Sequence, residues 1–470
     1  MATRMFDLNI ERVLEHWTLA HAIREIIANA LDEQALTSTQ EPSIYKDDLD
    51  RWHIRDWGRG LQYQHLTQNE NKEKLKNPRK VIGKFGVGLK DALATFHRQG
   101  VSVALVSTHG NITLAQINKH GFDDISTLHA SIDDSPSDID SGTDVILAGV
   151  RDEDIETAKS YFLCYSQDRA LEETSVGTVL QRTDKGAYIY VNGSRVAEEP
   201  DFLFSYNITS ISATLRKALN RERSNVGRTA YTDRVKAILL ACQSSEVADL
   251  LTRDLAAFQT GTMHDELGWI DVAVHACRVL STTQPVIFLT AEELVRAPKF
   301  VDYAIGDQYR IVVIPGNVRA KLPNLLDLSG KPIRDLTNYM QEWNEGHQYA
   351  FVPVEELSSS EHAVWDKTDA ILALAGGRPK IVRDILISET MRLNRLGDDQ
   401  ALGVWESAEE RIIIKRSQLR SLTDYAGTLL HELTHALSDT DDLTLAFEIA
   451  LSDRLGVVTA NGLASKITRE

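Results

Sequence analysis

Two stretches of this sequence carry side chains whose types and spacing could do chemistry. Near the C-terminus, residues 427–437 read GTLLHELTHAL. His431 and His435 stand at i and i+4, so on a helix both imidazoles face one point. Glu432 lies beside them, where it could take a proton from a metal-bound water. A zinc ion held there would polarise a carbonyl and lower the pKa of its water towards ~7. The opposite helix face, with Leu429, Leu433 and Ala436, is apolar, as a buried helix requires.

Near the N-terminus three pieces follow in order. The first is Glu25, Asn29 and Asp32 within REIIANALDE, at i, i+4 and i+7 on one helix face. The second is Asp56-x-Gly58-x-Gly60, directly after the strand-like WHIRDW. An aspartate there can accept from an exocyclic amine, and the glycines let backbone approach a ligand. The third is Gly83-x-x-Gly86-x-Gly88-Leu89, opening a helix whose first N–H groups can hold phosphate. Taken singly, each piece could be a solvated helix face, a plain turn or a loop. In this order and spacing they describe a nucleotide cradle.

The combination resembles the GHKL ATPase superfamily, which includes gyrase B subunits, ninety-kilodalton heat-shock chaperones, histidine kinases and mismatch-repair MutL proteins. The resemblance covers residues 10–150 and implies a sandwich of helices on an antiparallel sheet, with ATP and Mg²⁺ as ligands. It assigns Asn29, with Asp32 beside it, to Mg²⁺ and phosphate, and Asp56 to adenine. Gly58 and Gly60 would admit the nucleotide, and Gly83, Gly86, Gly88 and Leu89 would lie at its phosphates. Thr143, in Gly142-Thr143, resembles the last adenine-contacting motif. Residues 62–88 would form the ATP lid. Glu25 stands where the hydrolysing members have their general base, which favours hydrolysis over phosphotransfer. His21, one turn earlier, reads as a surface histidine. ATP-driven homodimerisation is implied as well. In hydrolysing members a second domain reaches back to the γ-phosphate with a basic residue. Lys185, Arg216, Lys217, Arg221, Arg223 and Arg228 are candidates, with a solvated basic helix or a local nucleic-acid contact as rival readings.

The C-terminal match, HELTHALSD followed by FEIALSDRLG, resembles thermolysin-type gluzincins, which implies Glu448 as third zinc ligand and a protein or peptide substrate. Asp441 and Asp442 rank second. Asp441 holds the third-ligand position of HExxHxxGxxD/H zincins, but Ser438 replaces the glycine of their tight turn. Asp439 is about 12 Å along the helix from His431 at ~1.5 Å per residue, too far for the same metal. Carboxylates that do not ligate, Asp453 among them, could orient the histidines. Tyr425 and His347 are candidates for stabilising an oxyanion.

These groups need elements to position them. Residues 10–35 read as an amphipathic helix, with Val13, Trp17, Ala20, Ile23, Ile27 and Leu31 at helical spacing. Residues 62–82 are polar and predict a loop, and 88–97 a helix. VSVALVS and NITLAQI predict a strand pair around His109-Gly110, and TDVILAGV a further strand. GAYIYVNGSRV predicts a hairpin turning at Asn192-Gly193. An Arg/Lys-rich helical stretch covers 213–245. Residues 260–375 alternate strands and helices. The last stretch reads as a helix from about 380, then the strands GVWE and RIIIKRS, then two helices around HELTH. The expected fold is α+β multidomain. It comprises a GHKL α/β sandwich (1–160), a transducer-like α/β domain (161–255), an α/β middle region without a legible motif (256–378) and a zincin-like helical and strand domain (379–470).

Bulk properties bound the function. The chain has 470 residues and a formal charge of −17, which disfavours a general nucleic-acid binder. Three scattered cysteines make no disulfide framework, and no apolar run is long enough for a membrane helix. A cytoplasmic protein is expected. The leading expectation is an ATP-regulated zinc endopeptidase under tight control, as in stress response or phage defence. The second is a chaperone-like or MORC-like conformational ATPase with a non-proteolytic zinc domain. A DNA-linked ATPase is disfavoured by charge.

Overall fold

The computed structural model describes residues 4–8, 16–67, 72–77, 81–82, 88–119, 125–133, 135, 137–219, 226–393 and 399–467. The chain is a mixed α/β protein of several sheets, divided into two compact units, Met1–Val279 and Leu280–Glu470. No helix among the described residues is long and apolar enough to cross a membrane.

The first unit opens with a seven-stranded sheet. Its strands are β1 (Arg4–Asp7), β2 (Ser43–Lys46), β3 (Arg51–Arg55), β4 (Ser102–Ser107), β5 (Gly110–Asn118), β6 (Ser126–Asp133) and β7 (Thr143–Ala148). The order is β1-β6-β5-β4-β7-β3-β2, with every pair antiparallel. Helices α1 (Leu19–Thr37), α2 (Gly88–Arg98) and α3 (Asp152–Lys159) share one apolar core with it. Ile23 and Ile27 of α1 and Leu93 and Phe96 of α2 meet Leu105, Val145 and Leu147 there. The helix read over 10–35 begins at Leu19 and runs to Thr37. Thr18 stops it from starting earlier: its backbone N–H and hydroxyl both meet His21 Nδ1, at 3.2 and 2.9 Å. Val13 lies outside the described residues, and Trp17 is buried ahead of the helix. The stretch read as a loop over 62–82 contains two short helices, Gln64–Thr67 and Lys72–Lys76.

A five-stranded sheet follows, built of β8 (Ala170–Glu173), β9 (Gly177–Gln181), β10 (Ala187–Val191), β11 (Ser194–Glu199) and β12 (Phe204–Ile208) in the order β11-β10-β12-β9-β8. The hairpin predicted at Asn192-Gly193 is present. Both turn residues have positive φ, 47° and 79°, which matches the twist of the flanking strands. The sheet is anchored by Glu266, a wholly buried carboxylate. It accepts from Leu203 N at 2.8 Å, Phe204 N at 3.2 Å and Tyr206 Oη at 2.9 Å. Burial pushes its pKa up despite these donors.

In the second unit, the parallel pair β13 (Val286–Leu289) and β14 (Arg310–Val313) packs with helices α4 (Pro298–Gly306) and α5 (Leu336–Glu345). A four-stranded sheet holds β15 (Phe351–Val352), β16 (Asp384–Ser388), β17 (Gly403–Glu406) and β18 (Arg411–Lys415) in the order β15-β16-β18-β17. Helices α6 (Leu422–Ser438) and α7 (Leu445–Ile467) complete the unit. Leu429 and Leu433 of α6 pack on Ile412 and Ile414, together with Leu357, Ile371 and Leu372. The boundary expected at 378/379 therefore runs through a single core. The stretch read as a helix from 380 holds strand β16, parallel to β18. An apolar run as short as DILI does not separate strand from helix by periodicity.

Replacing Glu266 with Ala should destabilise the first unit by about 2–6 kcal/mol, because two buried donors, Phe204 N and Tyr206 Oη, lose their acceptor at about 1–3 kcal/mol each. Urea unfolding followed by tryptophan fluorescence measures it; an unchanged midpoint would refute the anchoring role.

Candidate functional sites

In the first unit, α1, β3 and β7 converge on a cavity of about 270 Å³ lined by Asn29, Asp56, Gly60, Leu89, Thr143 and the apolar Ile26, Ile54 and Val145, among others. Asp56 and Thr143 sit side by side at the ends of neighbouring strands. Asp56 N donates to Thr143 O at 2.9 Å, and Thr143 Oγ1 accepts from Leu61 N at 2.9 Å. The Asp56 carboxylate is buried and accepts from Gly58 N at 2.9 Å. Desolvation raises its pKa from the usual 3.8 to about 6. Gly142 makes this approach feasible. Its φ is +69°, and a Cβ there would lie 2.1 Å from Asp56 O. Gly60, at φ +86°, turns the chain after Asp56.

Three predicted residues stand behind this lining. Glu25 is buried, and its Oε1 accepts from Arg24 Nη2 at 3.1 Å. Its Oε2 faces Gly88, where a Cβ would lie 2.3 Å away. Asp32 is buried, with Oδ2 receiving Lys74 Nζ at 2.7 Å and Oδ1 receiving the Ile82 N–H. Lys74 Nζ also donates to Asn29 Oδ1 at 3.0 Å, so the helix Lys72–Lys76 lays its ammonium on the pair read as the cation and phosphate contact. Gly58 lies against the Glu33 side chain, which pairs with Arg59. Gly83 and Gly86 lie outside the described residues, as do Arg221 and Arg223. The remaining basic candidates are not in the cavity lining. Arg228 is spent on ion pairs with Glu199 and Asp265, Arg216 and Lys217 lie on the short helix Ala213–Ala218, and Lys185 is exposed in a turn. Sequence reasoning missed Arg24 and Lys74. A cation next to a buried carboxylate was the available signal.

In the second unit, α6 places His431 Nε2 and His435 Nε2 3.2 Å apart, and Asp442 Oδ1 lies 3.0 Å from each. Ligand atoms about 2.1 Å from a tetrahedral zinc stand about 3.4 Å apart, so this triangle is close to the dimensions of one face of such a site. Its donor chemistry points the same way. A carbonyl can only accept, so His435 Nδ1 donates to Thr440 O at 2.7 Å. In the neutral ring Nε2 is then a lone pair. Desolvation lowers the pKa of His431, which favours its neutral form as well. These atoms form the sole cluster among the described residues with metal-ligand spacing.

The third corner is Asp442. Glu448, ranked first from sequence, is exposed and outside the cluster. Successive helical residues turn by about 100°. Phe447 lays its ring on both imidazoles, so Glu448 turns away. Asp441 is displaced for a different reason. Asp439 takes the left-handed conformation, φ 50°, one residue after the position a zincin glycine would hold. The chain turns back one residue later, and the ligand position moves from 441 to 442. Asp453 is exposed. Tyr425 is buried in the core against Thr368 Oγ1 at 2.8 Å, and His347 packs on Trp343 and Tyr349; neither belongs to the cluster. Glu432 is buried beside the triangle, 6% exposed. Gly403 of β17 is the contact that encloses it, since a Cβ there would lie 2.7 Å from Glu432 Oε1. Desolvation, with the Asp442 charge second, raises its pKa to about 8.

Residues 153–245, which hold the five-stranded sheet, match the family described as Mycoplasma pneumoniae MPN635 N-terminal domain. An uncharacterized protein of Mycoplasma pneumoniae is 37% identical over 243 residues, covering 50% of this chain and 96% of that protein. A second uncharacterized protein of the same organism is 24% identical over 342 residues, covering 67% of this chain and 94% of the relative. The chain belongs to the family of the first of these Mycoplasma proteins.

The Asp56 shift has a definite sign. Its folded pKa lies above the unfolded one, so the native state binds the proton more tightly. Stability is therefore fully retained below about pH 4 and is lost as pH rises through about 6. Asp56→Asn should raise the unfolding free energy at pH 7.5 by about 2–3 kcal/mol, the equivalent of about two pH units, and leave it unchanged at pH 4. Urea titrations at the two pH values check this; an equal gain at both would remove the desolvation account.

Proposed function

We propose that the chain is a GHKL-type ATP-binding and ATP-hydrolysing protein. We further propose that it carries a zinc-dependent endopeptidase centre and that nucleotide regulates cleavage by conformational change or dimerisation. The observation that carries the peptidase half is the triangle of His431 Nε2, His435 Nε2 and Asp442 Oδ1 with Glu432 buried beside it. His435 Nε2 and Asp442 Oδ1 are both lone-pair atoms, and a cation placed among them and His431 Nε2 would relieve their repulsion. When bound, zinc supplies a Lewis acid for a water and a carbonyl oxygen. Glu432 has the raised pKa of a group that accepts a proton and later delivers it. Strand β17, at the sheet edge and against Glu432, offers a template for an extended peptide.

The nucleotide half is supported by the cavity. Its walls combine apolar side chains with Asp56 and Thr143, a fit for a flat base carrying an amine donor. Asn29 and Asp32, bridged here by Lys74 Nζ, would hold magnesium and phosphate. Glu25 Oε2, turned towards Gly88, would orient and deprotonate water. These features lie on one face of α1, as the GHKL resemblance implies.

Measurements at each site test the proposal. Asp56→Ala should weaken ATP binding at least tenfold by calorimetry, and Glu25→Ala should abolish turnover while leaving binding within about threefold. Glu432→Gln should retain zinc yet lose casein cleavage by 10³-fold or more, given typical losses of a general base. Cleavage by the unaltered chain should change severalfold with ATP. If Glu432→Gln cleaves as well as the unaltered chain, the peptidase reading fails. If ATP leaves cleavage unchanged, the regulatory link fails.

A further inference from the structure

The triangle of ligand atoms is held from two sides. One side is the turn after α6. Asp439 reverses the chain and Thr440 O fixes His435 by its Nδ1. The other side is the first turn of α7. Thr444 locks that turn, donating to Asp441 O at 2.7 Å and accepting from Phe447 N at 3.2 Å. Phe447 is thereby fixed, 4% exposed, with its ring centroid 4.3 Å from that of His435 at 20° and 4.8 Å from that of His431 at 63°. The two imidazoles meet each other nearly edge to face, 4.9 Å apart at 72°.

Resting on the zinc reading above, we propose that Phe447 is a positioning residue for the metal ligands. It is the wall that sets the planes of both imidazoles, so that their Nε2 lone pairs converge with Asp442 Oδ1. A hydrogen bond to Nδ1 fixes where a ring nitrogen lies but leaves the ring free to swing about that bond. A flat, rigid ring stacked on its face removes this freedom. Phe447 meets both ligands at once, stacked on His435 and edge to face with His431, which no single hydrogen bond could do. It also closes one side of the triangle. His431, with a side chain 38% exposed, leaves the other side accessible to water and substrate. A phenyl ring beside an imidazole made electron-poor by a bound cation gains attraction in addition.

The test uses the full chain, stripped of metal, and reads zinc affinity by competition with a chromophoric chelator, together with the visible spectrum of the cobalt-loaded protein. Phe447→Tyr keeps the flat ring and should bind zinc within about threefold of the unaltered chain. Phe447→Leu and Phe447→Met fill the volume without a plane. Each should bind about tenfold or more weakly, the scale of losing a contact that orients a metal-bound histidine, and should change the shape of the cobalt band. His435→Ala sets the level for a lost ligand. A filler of the core would behave otherwise, since Leu or Met would then hold zinc as well as Phe and leave the cobalt spectrum unmoved. That result, in whichever of the two variants folds, overturns the positioning role while leaving the metal reading intact. Failure of the unaltered chain to bind zinc overturns both.

Discussion

The constraint on which this architecture depends is the cost of taking a carboxylate out of water. Glu25, Asp32, Asp56, Glu266 and Glu432 are all buried, in sites where an uncompensated charge would be worth several kcal/mol of instability. The chain meets that cost in three ways. Glu266 receives backbone and phenol donors and serves as a sheet anchor. Glu25 and Asp32 receive cations from their own neighbourhood, Arg24 and Lys74. Asp56 and Glu432 are compensated least, and their pKa values rise to about 6 and about 8. Asp56 and Glu432 thus each have a proton affinity brought near neutrality. Groups so tuned are the ones suited to exchanging a donor or a proton with something that binds.

The sequence carries this unevenly. Helical spacing placed Glu25, Asn29 and Asp32 on one face and brought His431 and His435 to one point, because an α-helix converts i, i+4 into proximity without help from the rest of the chain. The hairpin at Asn192-Gly193 was equally plain, since few residue pairs accept two positive φ values. The third corner of the triangle, Asp442, was not legible in the same way. It depends on which residue reverses the chain, and in the run from Ser438 to Asp442 several positions accept the left-handed conformation. The choice of Asp439 moved the ligand by one residue. The rotation of α7 then gave the inward position to Phe447 rather than Glu448. Register within a turn is decided by packing, which has no periodicity to read.

Long-range pairings were similarly hidden. Lys74 meets Asn29 and Asp32 across more than forty residues, and Gly403 meets Glu432 across a strand and a helix turn. In each case a small or flexible residue is explained only by what it faces. The strand GVWE was legible, but the reason for a glycine at its start is Glu432, which occupies the space a side chain would take. Strand β16 was misread for a related reason. Its core-facing Ile385 and Ile387 belong to a parallel pairing that leaves no turn signal between the partners.

The two sites differ in one further respect, and it bears on which of them can act as a switch. At the triangle of His431, His435 and Asp442 the polar groups already converge, with Thr440 and Phe447 set against the imidazoles. At the cavity beside α1 the polar groups of that helix are engaged by the chain itself: Glu25 with Arg24, Asn29 and Asp32 with Lys74. A ligand that uses those groups must take them from their internal partners, and the helix Lys72–Lys76 that carries Lys74 must then find another position. A site that trades internal contacts for ligand contacts has two states of comparable energy, and its ligand shifts the balance by its difference in affinity for the two. A preformed site has no second state to shift. In this chain such an exchange is open to the α1 cavity, where Arg24 and Lys74 hold Glu25, Asn29 and Asp32.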